Sequence, residues 1–487
     1  MTVVPAQEVS RIVTNARRSL ISIGLVRLAA AVVLATLVLS GCRDGQDQPA
    51  AKGDRGNYTY PEPPAARAGA LDPKVDGGVS RLLGSAVDGR VDDEALAVVA
   101  GSGDARLGWY LSDLMRFTQG GAGEDRLVSA FERLSGADLR KDPTFEESAW
   151  RSVTNHLIAW DLPAPPGYRE HKAELFLAVE PAWRPFFADA DSDIDWRLVS
   201  WGGVLIDDRG EGDRQPCPRG CIPALDDPAL TAAAGDWYPD NRIVFGVAIG
   251  GEAVAFPKNI MQVHEMVNIT IGGRRLGIPY CTLCGSAQAY LLDSVPAGAA
   301  APVLRTSGLL SRSNKIMYDL NSRSVLDTFT GRALSGPLQA RRVVLEQATV
   351  VVSTWGGWKK AHPSTKIVAE DGGIGQEYPD DPLGGRDDDG PIFPTGDVDP
   401  RLPEQAQVVG VIAPGGEPIA FAADSARAAL ADGRRVVLRG VEVVGDGDGL
   451  RARTRDGDEL PAHEAFWFAW SQFNPGTALW TPSATDG

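Results

Sequence analysis

Between about residues 90 and 190 the apolar positions recur with the period of an α-helix. Leu107, Leu111 and Leu114 fall at i, i+4 and i+7 behind Asp104, a good N-cap residue, and Gly120 closes the run. Leu127, Phe131 and Leu134 repeat the pattern and stop at Gly136. Thr144 and Glu147 have capping-box spacing ahead of Trp150, Val153 and Leu157. These runs predict a small helical domain over residues 72–195. Its histidines, His156 and His171, read as ordinary surface or half-buried side chains.

After about residue 195 the pattern changes to short β-type runs: Val199 to Ile206, Arg242 to Val247, Ala253 to Phe256, Arg275 to Tyr280, Val343 to Leu345 and Val350 to Thr354. Brief helical stretches intervene at about Lys258 to Val267, Trp355 to Ala361, Ala423 to Ala431 and Glu464 to Phe473. No regular βαβ alternation is present, so the expected class is α+β: an N-terminal small helical domain followed by a duplicated mixed β-rich domain with short helices. The duplication is visible as repeated spacing. Trp355, Trp358, His362, Pro363 and Thr365 match Trp467, Trp470, Asn474, Pro475 and Thr477 in spacing, and Gly246, Glu252 and Phe256 match Gly410, Glu417 and Phe421 in order. This predicts a first unit over 196–370 and a second, degenerate one over 405–487, with an acidic Pro/Gly-rich loop over 371–404 between them. Trp at i and i+3 ahead of Pro suits a short helix packed on a sheet.

The ends change the picture. Residues 1–41 carry early arginines (Arg11, Arg17, Arg18, Arg27), then a charge-free apolar run too short to span a bilayer comfortably, then Leu39-Ser40-Gly41-Cys42. This reads as a lipoprotein signal peptide, with Cys42 the lipidated first residue of an extracytoplasmic protein held to the membrane by its anchor. Residues 42–71, rich in Pro, Ala, Gly and charge, read as a flexible tether. The net charge of −16 over 487 residues argues against nucleic acid as a partner. No Gly-rich phosphate loop supports a nucleotide cofactor, and no G-x-S-x-G supports a serine hydrolase. Asp387, Asp388 and Asp389 lie in the acidic loop without the spacing of a calcium motif.

Four cysteines besides Cys42 fall in two close pairs. In Cys217-Pro-Arg-Gly-Cys221 the Pro and Gly favour a turn that joins the sulfurs, so a loop-locking disulfide is expected; a thiol pair relaying electrons to the other is its functional alternative. The other pair, Cys281 and Cys284, comes after His264 and Glu265, and Gly272-Gly273 suits a hairpin turn that would bring Cys281 back toward His264. Three readings stay open. Cys281, Cys284 and His264, with Met317 as a fourth ligand, could hold copper or zinc, with Glu265 orienting the histidine and Asp319 as a further outer residue. The pair could instead exchange disulfides, as an envelope thiol–disulfide oxidoreductase, or activate Cys281 beside His264 as a nucleophile. Or both pairs are structural in a non-catalytic surface scaffold.

The ordered motifs His264-Glu265-Met266-Val267-Asn268, Pro279-Tyr280-Cys281-Thr282-Leu283-Cys284-Gly285, Ser307-Gly308-Leu309, Met317-Tyr318-Asp319, Gly336-Pro337-Leu338, Trp355-x-x-Trp358 and His362-Pro363 resemble the bacterial "domain of unknown function 3179" family. The resemblance covers about 240 to 365, extending to about 480 with the acidic loop and second tryptophan motif. It implies an exported, often lipid-anchored protein and supplies no activity. Ile269 stands where the family often has Asp.

Overall fold

The computed structural model describes residues 58–118, 123–233, 237–385 and 390–482. Cys42, the expected signal peptide and Asp387 to Asp389 lie outside them. None of the helices in the described residues is long and apolar enough to cross a membrane.

From Pro73 to Ala188 the regular structure is helical: α1 (Pro73–Val87), α2 (Asp93–Gly101), α3 (Gly108–Thr118), α4 (Glu124–Ser135), α5 (Ala149–Ala159), α6 (Tyr168–Val179) and α7 (Arg184–Ala188). Local chemistry fixes their ends. Asp104 accepts the Arg106 N–H and opens the turn leading into α3, and Gly136 takes the left-handed conformation that closes α4. The cap of α5 is Ser148, whose Oγ accepts the Arg151 N–H at 3.2 Å, and not Thr144. Thr144 is drawn away because Asp142 accepts its N–H at 2.8 Å and also the Ser152 hydroxyl at 2.6 Å.

The rest of the chain forms five small sheets. In chain order the strands are β1 (Val199–Trp201), β2 (Leu225–Asp226), β3 (Leu230–Ala232), β4 (Ile243–Ile249), β5 (Glu252–Pro257), β6 (Met266–Ile271), β7 (Arg274–Cys281), β8 (Ser286–Ala287), β9 (Ala289–Leu291), β10 (Leu304–Ser311), β11 (Asn314–Asp319), β12 (Val325–Asp327), β13 (Glu346–Ala348), β14 (Val351–Thr354) and β15 (Lys366–Val368). Then come β16 (Gln407–Ile412), β17 (Pro418–Ala422), β18 (Val436–Leu438), β19 (Val441–Asp446), β20 (Gly449–Thr454), β21 (Glu459–Leu460), β22 (Ala462–Phe466) and β23 (Ala478–Trp480). Short helices α8 (Lys258–His264), α9 (Gly336–Ala340), α10 (Trp355–Ala361), α11 (Ala423–Ala431) and α12 (Trp467–Phe473) interrupt them. The class is mixed α+β. Val343 to Leu345, expected as a strand, contributes a bridge from Val344 to Arg332, and Glu464 belongs to β22 rather than to the helix after it.

Two sheets share one plan. The order β14-β4-β5-β15 is matched by β22-β16-β17-β23, with the first three strands of each antiparallel and the last parallel to its neighbour. In each, a glycine on the second strand lies under an indole: a Cβ on Gly246 would stand 2.5 Å from the Trp358 ring, and one on Gly410 2.0 Å from Trp470. Each indole N–H donates to a threonine seven residues on, Trp358 to Thr365 at 2.9 Å and Trp470 to Thr477 at 3.0 Å.

The helices do not close a core of their own. Leu107, Phe131 and Trp183 pack in one continuous cluster with Trp201, Leu309, Ile316 and Tyr318 of the sheet β1-β10-β11-β12. The segment expected as an acidic, solvated loop is clamped at this seam. Arg151 donates to the Pro391 carbonyl at 2.7 Å, Asn155 Oδ1 accepts the Thr395 and Gly396 N–H groups, and Phe393 meets Trp150 edge to face. The end of the expected tether is also packed. The Tyr58 hydroxyl lies 2.9 Å from His156 Nε2, and Trp160 donates to the Pro61 carbonyl. His156 is therefore fully buried, not a surface group.

Candidate functional site

The hairpin carrying the Cys-x-x-Cys segment folds as its turn residues require. Gly272 and Gly273 both have positive φ, and Ile271 and Thr270 pair with Arg274 and Arg275. At the other end Met266 faces Pro279, and the Tyr280 N–H donates to the Glu265 carbonyl at 3.0 Å. Cys281 thus arrives beside the end of α8. A single turn, Thr282–Cys284, then brings Cys284 round, and Gly285 in the left-handed region reverses the chain. Both thiols are free and buried. Both sulfurs lie against the Ser313 carbonyl, Cys281 at 3.7 Å and Cys284 at 3.4 Å.

Lys315 is the cation of this site. Its ammonium is buried between the hairpin and β11, donating to the Glu265 carbonyl and, at 2.9 Å, to the Tyr280 carbonyl, with the Glu265 carboxylate at 3.7 Å. Glu265 itself sits at φ +51°, a left-handed conformation that a non-glycine residue adopts at some cost. That turn aims its carboxylate at the Thr282 hydroxyl, 3.1 Å away, and at Lys315.

The two thiols differ. Burial pushes the Cys281 thiol up, but the hydrogen bond from Cys284 and the Lys315 charge outweigh it, so Cys281 sits below the ordinary thiol value despite the opposing Glu265 carboxylate. Burial and the negative Cys281 beside it push Cys284 well up. Burial lowers the Lys315 ammonium, opposed by Glu265 and the two cysteines. The two shifts are opposed: the front thiol is drawn toward its ionised form and the back thiol toward its protonated form.

Cys281 and Lys315 line a cavity of about 1290 Å³, which also receives Trp150 from α5, His264, Cys217 and the residues Gly220 to Pro223, and is walled by Ile374 to Gln376, Pro379, Pro382 and Leu383. Both members of the other cysteine pair line it, and they are joined as a disulfide.

The expected ligand set is not assembled. Among the described residues one group of three Cys, His, Asp or Glu side chains brings its ligand atoms within 4.8 Å of one another, and it is Asp207, Cys217 and Cys221. His264 does not join Cys281 and Cys284, because α8 ends at that residue and both ring nitrogens are engaged elsewhere. Its Nδ1–H donates to the Pro223 carbonyl at 2.7 Å, and its Nε2 accepts the Tyr378 hydroxyl at 2.6 Å. Burial holds this histidine down at about 4, so it stays neutral. Met317 is fully buried in a separate cluster with Met266, Tyr290 and Leu326. Asp319 caps the turn after β11, accepting the Val303 and Ser322 N–H groups. Glu265 orients Thr282 and Lys315 rather than His264. The residue that sequence reasoning passed over is Lys315; its one signal was a lysine within a run, Asn314 to Asp319, that is otherwise suited to burial.

The Asp207, Cys217 and Cys221 atoms could hold a metal ion if the sulfurs were reduced. Asp207 Oδ1 lies 3.6 Å from the Cys221 sulfur. The same carboxylate already accepts from Arg209 at 2.7 Å and from the Ala224 N–H at 2.7 Å, partners a cation would have to displace.

None of the curated proteins and none of the solved structures matches the chain. A family model does, over residues 219–434, from inside the Cys217–Cys221 turn to just beyond α11, so that it takes in the hairpin, both free cysteines and Lys315. The family it describes is Protein of unknown function (DUF3179), and residues 219–434 are what this chain shares with it.

Proposed function

We propose that Cys281 and Cys284 form a thiol–disulfide exchange centre opening on the large cavity, in an exported protein held to a membrane through lipidated Cys42. The observation that carries this reading is the placement of the pair: two free, buried thiols joined by a single turn, Cys281 on the cavity wall with Lys315 and Cys284 behind it, the first thiol drawn down and the second pushed up. The Cys217–Cys221 disulfide is in keeping with an oxidising compartment.

Exchange at this centre balances in atoms and electrons. The Cys281 thiolate attacks one sulfur of a substrate disulfide, forming a mixed disulfide and expelling the other sulfur as a thiolate. Cys284 gives its proton to that leaving thiolate and attacks the Cys281 sulfur. The second substrate sulfur departs as a thiolate, which water protonates, and a Cys281–Cys284 disulfide remains. Two electrons have passed to the substrate, and the reverse sequence oxidises a dithiol. Lys315 stabilises the attacking thiolate, and Glu265 keeps Lys315 and Thr282 in place.

The test is a redox titration in glutathione buffers, reading the state of Cys281 and Cys284 by alkylation and mass spectrometry. The expected potential lies above about −300 mV, the region of inert structural disulfides. Thiols that remain reduced throughout would overturn the reading.

Soft-metal handling is the second reading, favoured by the same two buried thiols. With Lys315 offsetting one negative charge they offer cuprous copper two sulfur ligands, without His264 or Met317. About one copper per chain, lost in Cys281→Ser, would favour it over exchange.

A further inference from the structure

Resting on the exchange centre proposed above, we infer that Cys217–Cys221 is its redox partner: a shuttle disulfide on a surface loop that passes oxidising equivalents between an outside disulfide and the Cys281/Cys284 pair.

Three observations carry this. Cys281 and both members of the loop pair line one cavity. The loop bearing the first pair is a surface feature: residues 210 to 220 are exposed except for half-buried Cys217, while Cys221 is 4% exposed. Its base is nevertheless fixed. Asp207 holds Arg209 and the Ala224 N–H, the Gly212 N–H donates to Asp226 at 2.7 Å, and buried Arg305 grips Asp226 at 2.6 Å. A disulfide needed only to lock this loop would be redundant with that network. Both sulfurs thus face the cavity, with Cys217 the more exposed residue and Cys221 the buried one, on a platform that does not depend on the bond.

The surroundings also choose the direction of attack. The Asp207 carboxylate is nearer Cys221, at 3.6 Å, than Cys217, at 4.0 Å. That carboxylate is paired with Arg209; it is burial, which disfavours a thiolate on Cys221 more than on half-buried Cys217, that makes Cys217 the better leaving group and Cys221 the sulfur attacked from within. The Cys281 thiolate forms a bond to the Cys221 sulfur as the Cys217–Cys221 bond breaks, and Cys217 leaves with the electron pair. Cys284 transfers its proton to Cys217 and attacks the Cys281 sulfur, releasing Cys221, which is protonated from water. Two electrons and one proton have moved from the inner pair to the loop disulfide, and the second proton has come from water. An outside disulfide of the glutathione or protein class reoxidises the loop by the same exchange.

The full chain with Cys217→Ser and Cys284→Ser keeps Cys221 and Cys281 of the four. Treated with glutathione disulfide and mapped by peptide mass spectrometry, it is expected to yield the Cys221–Cys281 disulfide as its main product; two glutathione adducts with no link would overturn the relay. Independently, the fully reduced chain and its Cys217→Ser/Cys221→Ser variant are oxidised with glutathione disulfide. The inner disulfide is expected to form about tenfold more slowly in the variant, which has lost an intramolecular exchange partner. An inner disulfide that forms equally fast without the loop cysteines removes the relay and leaves the exchange centre standing. If the inner disulfide forms in neither chain, the exchange centre itself fails.

Discussion

The two sheets of common plan differ in the segment that leaves their shared helix. In the first unit β5 runs into α8, and the chain then turns at Glu265 into the long hairpin that delivers Cys281. In the second unit β17 runs into α11, and the chain continues into the meander β18-β19-β20-β21, which carries no cysteine. That meander braces the first unit: a Cβ on Gly449 would stand 2.5 Å from the Val352 carbonyl, Thr354 donates to Asp448, and the Val350 N–H donates to the Ala462 carbonyl at 3.0 Å. The indole over glycine is thus a packing device common to both sheets, and the free cysteines lie in the segment that follows only one of them.

The strongest way to break this comparison is at the glycines. Gly246→Ala and Gly410→Ala each drive a methyl group into an indole held by a threonine. Each should cost about 3 kcal/mol in urea-induced unfolding. A large loss from one and none from the other would show that the matched packing is not equivalent.

Acid comes next. Each unit buries a neutral histidine, His264 in the first and His463 in the second, both held down at about 4 by burial. The unfolded chain takes up these protons near pH 6.5 and the folded chain near 4. Their stabilisation is therefore complete above pH 6.5 and is lost as pH falls through that window, by about 3 kcal/mol per histidine. Urea unfolding at pH 7 and pH 4.5 checks this, and His463→Gln should remove part of the acid sensitivity while leaving the cysteines untouched.

Lys315→Met separates the units chemically. Removing the ammonium beside Cys281 should raise that thiol and slow its alkylation by iodoacetamide at pH 7 about tenfold. The wild-type profile should reach half its maximum below the ordinary thiol value. An unchanged profile in the variant would leave Lys315 with only a structural part. The smallest effect is expected from Tyr378→Phe, which deletes the hydroxyl accepted by His264 Nε2 and should cost about 1 kcal/mol, read from thermal unfolding.

Much of this was legible wherever a feature is local. The Gly272-Gly273 turn, the Trp-x-x-Trp spacing and the Cys217–Cys221 disulfide each depend on neighbours within a few residues, and each is found as expected. The family resemblance was carried by ordered motifs and is met by the match over 219–434. What could not be read depends on direction and depth. His264 lies next to the hairpin in sequence, but the left-handed Glu265 ends α8 and sends the imidazole toward Pro223 and Tyr378 instead of the sulfurs. Lys315 resembles a solvated strand residue until β11 is seen to be buried from Asn314 to Asp319. The seam at Phe393, which ties the helices to the strands, arises from contacts across more than 200 residues that no local pattern encodes.

The left-handed backbone at Glu265 has a consequence for anyone who tries to improve this protein. Glycine would relax that conformation, by about 1 kcal/mol. A redesign that ranks variants by melting temperature alone would therefore be drawn to Glu265→Gly. It would return a hardier chain with Lys315 and Thr282 released from their carboxylate, and a thermal screen would score that loss as an improvement.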